Sequence, residues 1–261
     1  GCFAFSSDDS RILCGYGDTV RTCDALTGED LSTVTLKRKD QIVEDPLLPS
    51  DQFACVAFSP DATRIVSFSY PWMWVKGEEL PLPGPGKLTI WDTTTGVERR
   101  TMSLRGRQFG TSLAFAPDGR RIASGSGDGT ITVWDAVSGE ALLTLKAHGR
   151  QVNSVAFSLD GTRIASGSAD KTIKIWNADG GKALTLNGHA GKVYSVVFSP
   201  DGTRIASGSE DNTVKVWDAV TGEEMITLSG HGNPVLSVAF SPDGTRLVSA
   251  SKNHIKVWKA E

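Results

Sequence analysis

The feature that most restricts the fold of this chain is an internal repeat with a period of about 42 residues. Three segments that begin at residues 118, 160 and 201 are nearly identical, and a divergent copy begins at residue 243. A phenylalanine precedes each copy, and these residues are spaced 42, 41 and 42 apart: Phe115, Phe157, Phe198 and Phe240. A repeat of this length that contains four short apolar segments is typical of one four-stranded β-blade.

Six repeats account for essentially the whole chain. We expect them to form a single domain, with boundaries at about 1–52, 53–106, 107–147, 148–188, 189–230 and 231–261. Repeat four predicts its strands most clearly, as VNSVAFS at 152–158, TRIASGS at 162–168, TIKIWNA at 172–178 and KALTL at 182–186. Turn-forming residues separate these segments. Such a blade has two apolar faces that only stacking can bury, so the sequence predicts an all-β propeller.

Composition and charge disfavour several classes of protein. The 27 basic and 30 acidic residues give a net charge of −3, which does not favour a nucleic-acid partner. There is no run of about 18 apolar residues, so we expect no membrane partner. The four cysteines are Cys2, Cys14, Cys23 and Cys55, without metal-ligand spacing, and no signal peptide is recognisable. We expect a reducing compartment, the cytoplasm, with the nucleus as an open alternative.

Several short motifs resemble the WD40 repeat family. They are Gly188-His189, the SPDG turn at 199–202, the turn at 209–211 and Trp217-Asp218. The resemblance covers essentially the whole chain, is strongest in repeats four and five, and fades in repeats one and two. It implies a β-propeller, in this family usually of about seven blades, whereas six repeats are visible here.

The last repeat ends three residues after Trp258, without an outer strand. In the family an N-terminal strand usually supplies that strand, but this chain begins directly in an inner strand. We expect a ring that is one strand or one blade short. Two explanations stay open: an excised part of a longer protein, or a naturally open six-bladed ring. In both cases an unpaired edge offers a site of association.

A histidine, a serine, an aspartate and a tryptophan recur at fixed spacing, and the resemblance implies a buried hydrogen-bonded tetrad. A hydrolase needs one nucleophile beside one base in one pocket, not one set per blade. We therefore predict a structural role, no enzymatic activity, and no metal or cofactor. The predicted tetrad residues are His148, Ser166, Asp170 and Trp176; His189, Ser207, Asp211 and Trp217; Ser124, Asp128 and Trp134; and His231, Ser249 and Trp258.

The irregular loops fall on one side of the predicted ring. In the family, the upper face consists of the loops that join consecutive blades and the turns between second and third strands. Both long insertions, at 37–52 and 68–87, fall there. The second contains side chains that are favoured in binding patches: Tyr70, Trp72, Met73 and Trp74. The alternative is that they extend two strands and cover a loose blade.

The resemblance also implies partner-binding positions on the upper face, three and five residues after the histidine and just before the turn aspartate. These side chains differ among blades while the framework repeats, so we expect them to bind a protein or peptide. They are Phe109, Gln151, Asn153, Lys192, Tyr194, Glu210, Leu236 and Lys252.

These observations favour a noncatalytic scaffold that presents upper-face loops to protein or peptide partners. Repeats three to five also resemble the arrays of NACHT-type signalling proteins, whose propeller is thought to sense a ligand and restrain an ATPase. The alternative hypothesis is therefore a ligand-sensing regulatory domain of a larger NACHT/STAND-type signalling ATPase. A third class, a propeller hydrolase, needs a unique acidic or histidine cluster in the central channel, and the sequence shows none.

Overall fold

The computed structural model describes residues 2–5, 11–16, 19–35, 52–70, 72–73, 82–83, 86–103, 110–181 and 183–259. Within these ranges the regular structure is entirely β-strand, and no helix occurs that could cross a membrane. The strands form six antiparallel sheets, one for each repeat, arranged as the blades of a β-propeller. The predicted fold class is therefore confirmed.

The first three blades each have four strands, and a short ribbon accompanies the second. Blade one contains β1 (Cys2–Phe5), β2 (Arg11–Tyr16), β3 (Thr19–Asp24) and β4 (Asp30–Thr35). Blade two contains β5 (Gln52–Phe58), β6 (Arg64–Tyr70), β9 (Lys87–Asp92) and β10 (Glu98–Ser103), and the ribbon pairs β7 (Trp72–Met73) with β8 (Leu82–Pro83). Blade three contains β11 (Gly110–Phe115), β12 (Arg121–Ser126), β13 (Thr130–Asp135) and β14 (Ala141–Lys146).

The last three blades follow the same order, and the sixth has three described strands. Blade four contains β15 (Val152–Phe157), β16 (Arg163–Ser168), β17 (Ile173–Asn177) and β18 (Leu184–Leu186). Blade five contains β19 (Val193–Phe198), β20 (Arg204–Ser209), β21 (Val214–Asp218) and β22 (Glu224–Leu228). Blade six contains β23 (Val235–Phe240), β24 (Arg246–Ser251) and β25 (Ile255–Lys259). In blade four the strands are up to two residues shorter than the segments predicted from the sequence.

Blades pack face to face, which explains why their middle strands are buried on both sides. In β20 every residue after Arg204 is buried. Ala206, Val214 and Val216 of blade five share one apolar cluster with Val235 and other residues of blade six. An isolated blade would leave such faces in water, so each blade is stabilised by its neighbours.

Close approach of consecutive blades depends on small residues in the second strand. A Cβ atom built at Gly208 would lie 2.7 Å from Val235 Cγ1 of the next blade, closer than packing allows. Gly125 and Gly167 face Val152 and Val193 in the same manner, at 2.8 and 2.6 Å. At the contact between blades two and three, the small residue and the large residue exchange places. Phe68, which is fully buried, occupies the glycine position, and Gly110 occupies the valine position.

An arginine at the start of the second strand also joins consecutive blades. The guanidinium carbon of Arg163 lies 5.2 Å from the ring centroid of Phe198, and Nη2 donates a hydrogen bond to the carbonyl of Gly202 at 2.7 Å. We call this pairing the arginine contact, which combines cation–π attraction with a charge-assisted hydrogen bond. It recurs as Arg64 with Phe115 and Gly119, Arg121 with Phe157 and Gly161, and Arg204 with Phe240 and Gly244.

Candidate functional site

The four tetrad side chains of blade five form one chain of hydrogen bonds. Trp217 Nε1 donates to Ser207 Oγ at 2.9 Å, and this oxygen lies 2.8 Å from Nε2 of His189. His189 Nδ1 lies 2.8 Å from Oδ2 of Asp211. A proton on Nδ1 lets each donor meet an acceptor, because the serine hydroxyl then donates to Nε2. This series of hydrogen bonds joins the loop before blade five to the second and third strands of that blade.

The charges of the tetrad follow from its surroundings. Burial lowers the pKa of His189 despite the neighbouring Asp211, so the imidazole is neutral at pH 7. Burial alone would raise the pKa of Asp211, but hydrogen bonds from Thr213 and His189 outweigh it and lower this pKa to about 2. A neutral imidazole that donates to an ionised carboxylate is a stable hydrogen-bonded pair over the neutral pH range.

Blade four repeats the arrangement. His148 Nε2 lies 2.8 Å from Ser166 Oγ, and His148 Nδ1 lies 2.9 Å from Asp170 Oδ2. Trp176 Nε1 donates to Ser166 Oγ at a longer 3.3 Å. Ser166 and Ser207 are both 0% exposed, so a substrate has no access to either hydroxyl. The serine–histidine pairs therefore hold strands together and are not placed to act as nucleophile and base.

Blade three contains part of this network. Trp134 Nε1 donates to Ser124 Oγ at 2.8 Å. Asp128 Oδ1 accepts hydrogen bonds from the backbone and hydroxyl of Thr130 at 3.0 and 2.6 Å. Gly106, which aligns with the histidine position, lies outside the described residues.

Blade six replaces the aspartate with a serine. His231 Nε2 lies 2.7 Å from Ser249 Oγ, and Trp258 Nε1 donates to the same oxygen at 2.8 Å. His231 Nδ1 lies 3.1 Å from Ser251 Oγ, which takes the place that the carboxylate has in blades four and five. A neutral hydroxyl is a weaker acceptor than a carboxylate, so we expect this network to be the weaker one.

Sequence reasoning missed several members of these networks. Thr172 and Thr213 each donate a hydrogen bond of 2.6 Å from Oγ1 to the tetrad aspartate of their blade. In blade two, Trp91 Nε1 donates to Ser67 Oγ at 2.7 Å. A threonine two residues after each aspartate was a usable signal, whereas the insertion in repeat two hides the serine–tryptophan spacing.

On the upper face of blade five, three of the predicted partner-binding residues contact one another. Lys192 Nζ and Tyr194 Oη donate to Glu210 Oε1 at 3.1 and 3.4 Å. The backbone N–H of Lys192 donates to Glu210 Oε2 at 3.3 Å. These bonds lower the pKa of Glu210 and raise the pKa of Lys192, so both groups are charged near pH 7. We call these three residues the blade-five cluster.

The other described positions of this set differ in their surroundings. Gln151 and Lys252 are exposed, and Leu236 is 52% exposed. Asn153 is different, because its Nδ2 donates to the carbonyl of Val193 in the next blade at 2.8 Å. Its amide group therefore helps to join blades four and five.

The aromatic insertion of repeat two is described only in part. Tyr70 ends β6, and Trp72 and Met73 form β7, where they pair with residues 82–83. Trp74 and Phe109 lie outside the described residues. The proposed contact role of these five side chains stays a prediction.

The described upper loops of blades four to six are rich in cations. Outside the tetrads they carry four basic side chains, Arg150, Lys171, Lys192 and Lys252, against the single carboxylate of Glu210. Turns on the opposite, lower face instead repeat aspartates that bond to their own backbone, as Asp201 does with Thr203 N. Among the described residues of blades four to six, the upper loops therefore carry an excess of basic side chains.

A cavity of about 1040 Å³ lies at the lower ends of the inner strands, around the ring axis. Its walls are mainly aromatic and proline side chains, including Phe58, Phe115, Phe157, Phe198 and Phe240. Among the described residues that line it there is no acid, base or cysteine. The described part of the chain also contains no group of three or more potential metal ligands.

A family model described as "WD domain, G-beta repeat" (WD40) matches residues 99–135, 139–177, 180–218 and 222–259, more than half of the chain. The chain belongs to the WD40 family. Each matched WD40 window contains the outer strand of one blade and the three inner strands of the next, so the sequence repeat and the sheet are offset by one strand. The chain matches no curated protein.

WD40 propellers are typically protein-interaction scaffolds and are generally noncatalytic. The described site agrees with the scaffold role, because several of its variable side chains, among them Gln151, Leu236 and Lys252, are exposed. In such a domain, function depends on the loops that the rigid framework positions.

Proposed function

We propose that this WD40 domain is a cytoplasmic, noncatalytic scaffold that binds protein or peptide partners through its upper face. The observation that carries the proposal is the blade-five cluster, Lys192, Tyr194 and Glu210. It combines an aromatic ring with a bonded ion pair at positions where blade four instead carries Gln151 and Asn153. Variable side chains on a repeated framework are what a specific binding surface requires.

The internal bonds of the cluster favour binding physically. Glu210 holds Lys192 through both its backbone and its ammonium group, so these side chains lose less conformational freedom when a partner arrives. Leu236 and Lys252 extend the surface onto blade six with an apolar and a cationic side chain. Together they offer the aromatic, apolar and charged contacts that peptide recognition uses.

The excess of basic side chains favours a partner with acidic residues. Arg150 and Lys192 are both cationic and their charges act on each other, so an acidic side chain of a partner is attracted by both. Such attraction is screened by salt, and binding should therefore weaken as ionic strength rises.

Selection from a displayed library of random linear peptides tests this function directly. We expect enrichment of acidic sequences, and at least about tenfold weaker binding by Tyr194→Ala and by Lys252→Ala. Trp72→Ala tests the predicted contribution of the insertion. Val220→Ala is the matched control, because Val220 is 76% exposed on the lower face. Unchanged affinity in the folded Tyr194 and Lys252 variants would exclude the upper face as the binding site.

One observation supports a second candidate, a ligand-sensing domain of a larger NACHT/STAND-type signalling ATPase. The sequence RIASGS occurs unchanged in β12, β16 and β20, which is the near identity that the resemblance rests on. An immunoblot of source cells with an antibody to this chain separates the candidates. A band near 27.8 kDa would exclude the larger protein, and a much larger band would support it.

A further inference from the structure

One position on the upper face has different roles in different blades. It lies five residues after the tetrad histidine position, at the start of the first strand. In blade four, Asn153 Nδ2 donates to the carbonyl of Val193 in blade five at 2.8 Å. In blade three, Thr111 Oγ1 donates to the carbonyl of Val152 in blade four. We call this contact the upper interblade bond, and it occupies both side chains within the ring.

Blade five has no described upper interblade bond. Tyr194 occupies the same position, and the equivalent carbonyl belongs to Val235 of blade six. Among the described residues no side chain donates to that carbonyl, and Tyr194 Oη donates instead to Glu210 Oε1 of its own blade at 3.4 Å. The neighbouring bond is kept, because Ser195 Oγ accepts from the backbone N–H of Val238 at 3.2 Å, as the equivalent serines do between the preceding blades. The change is therefore local to the upper end of this contact.

The residue that holds Tyr194 changes with it. Glu210 stands where blades three and four have Gly127 and Ala169, neither of which offers a side-chain acceptor for a tyrosine hydroxyl. Blade five has thus exchanged a hydrogen bond between blades for one on its own upper surface. The exchange leaves a half-buried aromatic ring beside Lys192, which shares the Glu210 carboxylate. Aromatic side chains of this kind anchor many protein interfaces.

We propose that Tyr194 determines the specificity of the upper face, whereas Thr111 and Asn153 hold blades together and contact no partner. The inference rests on the proposed peptide-binding function and deepens it, because it places the contact on blade five. The Tyr194 ring offers a surface for an apolar side chain of the peptide, and Lys192 and Arg150 attract a carboxylate next to it. The peptide class is therefore one with an apolar residue adjacent to an acidic residue.

The test exchanges residues between blades four and five, and its probe is an acidic peptide enriched from the displayed library. Tyr194→Asn should weaken the binding of this peptide at least about tenfold. The same variant should melt at a higher temperature than Tyr194→Ala, because its amide group can form the upper interblade bond with Val235. Tyr194→Phe keeps the ring and should bind like the wild type. Asn153→Ala should show the opposite pattern, with a lower melting temperature than the wild type and an unchanged affinity.

Two results would overturn the assignment. One is a folded Tyr194→Asn variant that binds the peptide as tightly as the wild type, and the other is a folded Asn153→Ala variant that binds it at least about tenfold more weakly. If Asn153→Ala does not fold, Thr111→Val removes the equivalent donor from blade three and must leave the affinity unchanged. A library that enriches no acidic peptide refutes the proposed function itself. An enriched peptide that loses affinity in Lys252→Ala but not in Tyr194→Asn refutes only the role of Tyr194.

Discussion

Replacement of Ser207 by alanine is the most direct test of the tetrad. The hydroxyl is fully buried and has two ring partners, Trp217 Nε1 at 2.9 Å and His189 Nε2 at 2.8 Å. Its removal leaves both nitrogens buried and unpaired, at about 1–3 kcal/mol each, so we expect a loss of about 2–6 kcal/mol in the free energy of unfolding. Ser124→Ala is the matched control, because its one described ring partner is Trp134.

The assay is urea denaturation at pH 7, followed by tryptophan fluorescence and circular dichroism on the same samples. We expect Ser124→Ala to lose about 1–3 kcal/mol, so the two variants should differ by the cost of one unpaired ring nitrogen. Coincident transitions from both probes are required, because arrays of repeats can unfold in steps. The reasoning is refuted if Ser207→Ala costs no more than Ser124→Ala, since the histidine bond would then contribute nothing.

Other perturbations test different contacts. Because the pKa of Asp211 is lowered to about 2, its ionised carboxylate should add roughly 2 kcal/mol to the free energy of unfolding above pH 4, and this contribution should be lost as the pH falls through 2. Urea denaturation at a series of pH values tests this, because Asp211→Asn should lack that acid dependence. Gly208→Ala should lower the melting temperature, because the added methyl group would collide with Val235 of the next blade. Gly232→Ala is the control and should leave the melting temperature unchanged, because the space around Gly232 is open. Arg163→Gln should cost about 1–2 kcal/mol by chemical denaturation, through loss of the arginine contact, and a neutral result would contradict that contact.

Features that repeat within one blade could be predicted from the sequence, and features between blades could not. The six sheets follow from periodic apolar segments, and the spacing of His189, Ser207 and Asp211 repeats that of blade four. The arginine contact joins residues such as Arg163 and Gly202, 39 positions apart, that only the stacking of blades brings together. Asn153 shows the same limit, because its position indicates a partner contact while its amide group is bonded to the next blade.

Between blades two and three the large residue, Phe68, and the small one, Gly110, have exchanged places. This exchange restricts where a duplicated blade could be inserted in the array. Blades four and five each carry both the glycine and the valine of this contact, so a duplicated copy of either would fit between its neighbours, whereas a second blade three would set Gly125 against Gly110. A copy inserted directly after blade two would set its valine against Phe68 and overfill the joint. We therefore expect duplication of a blade to be tolerated after blade three and not directly after blade two.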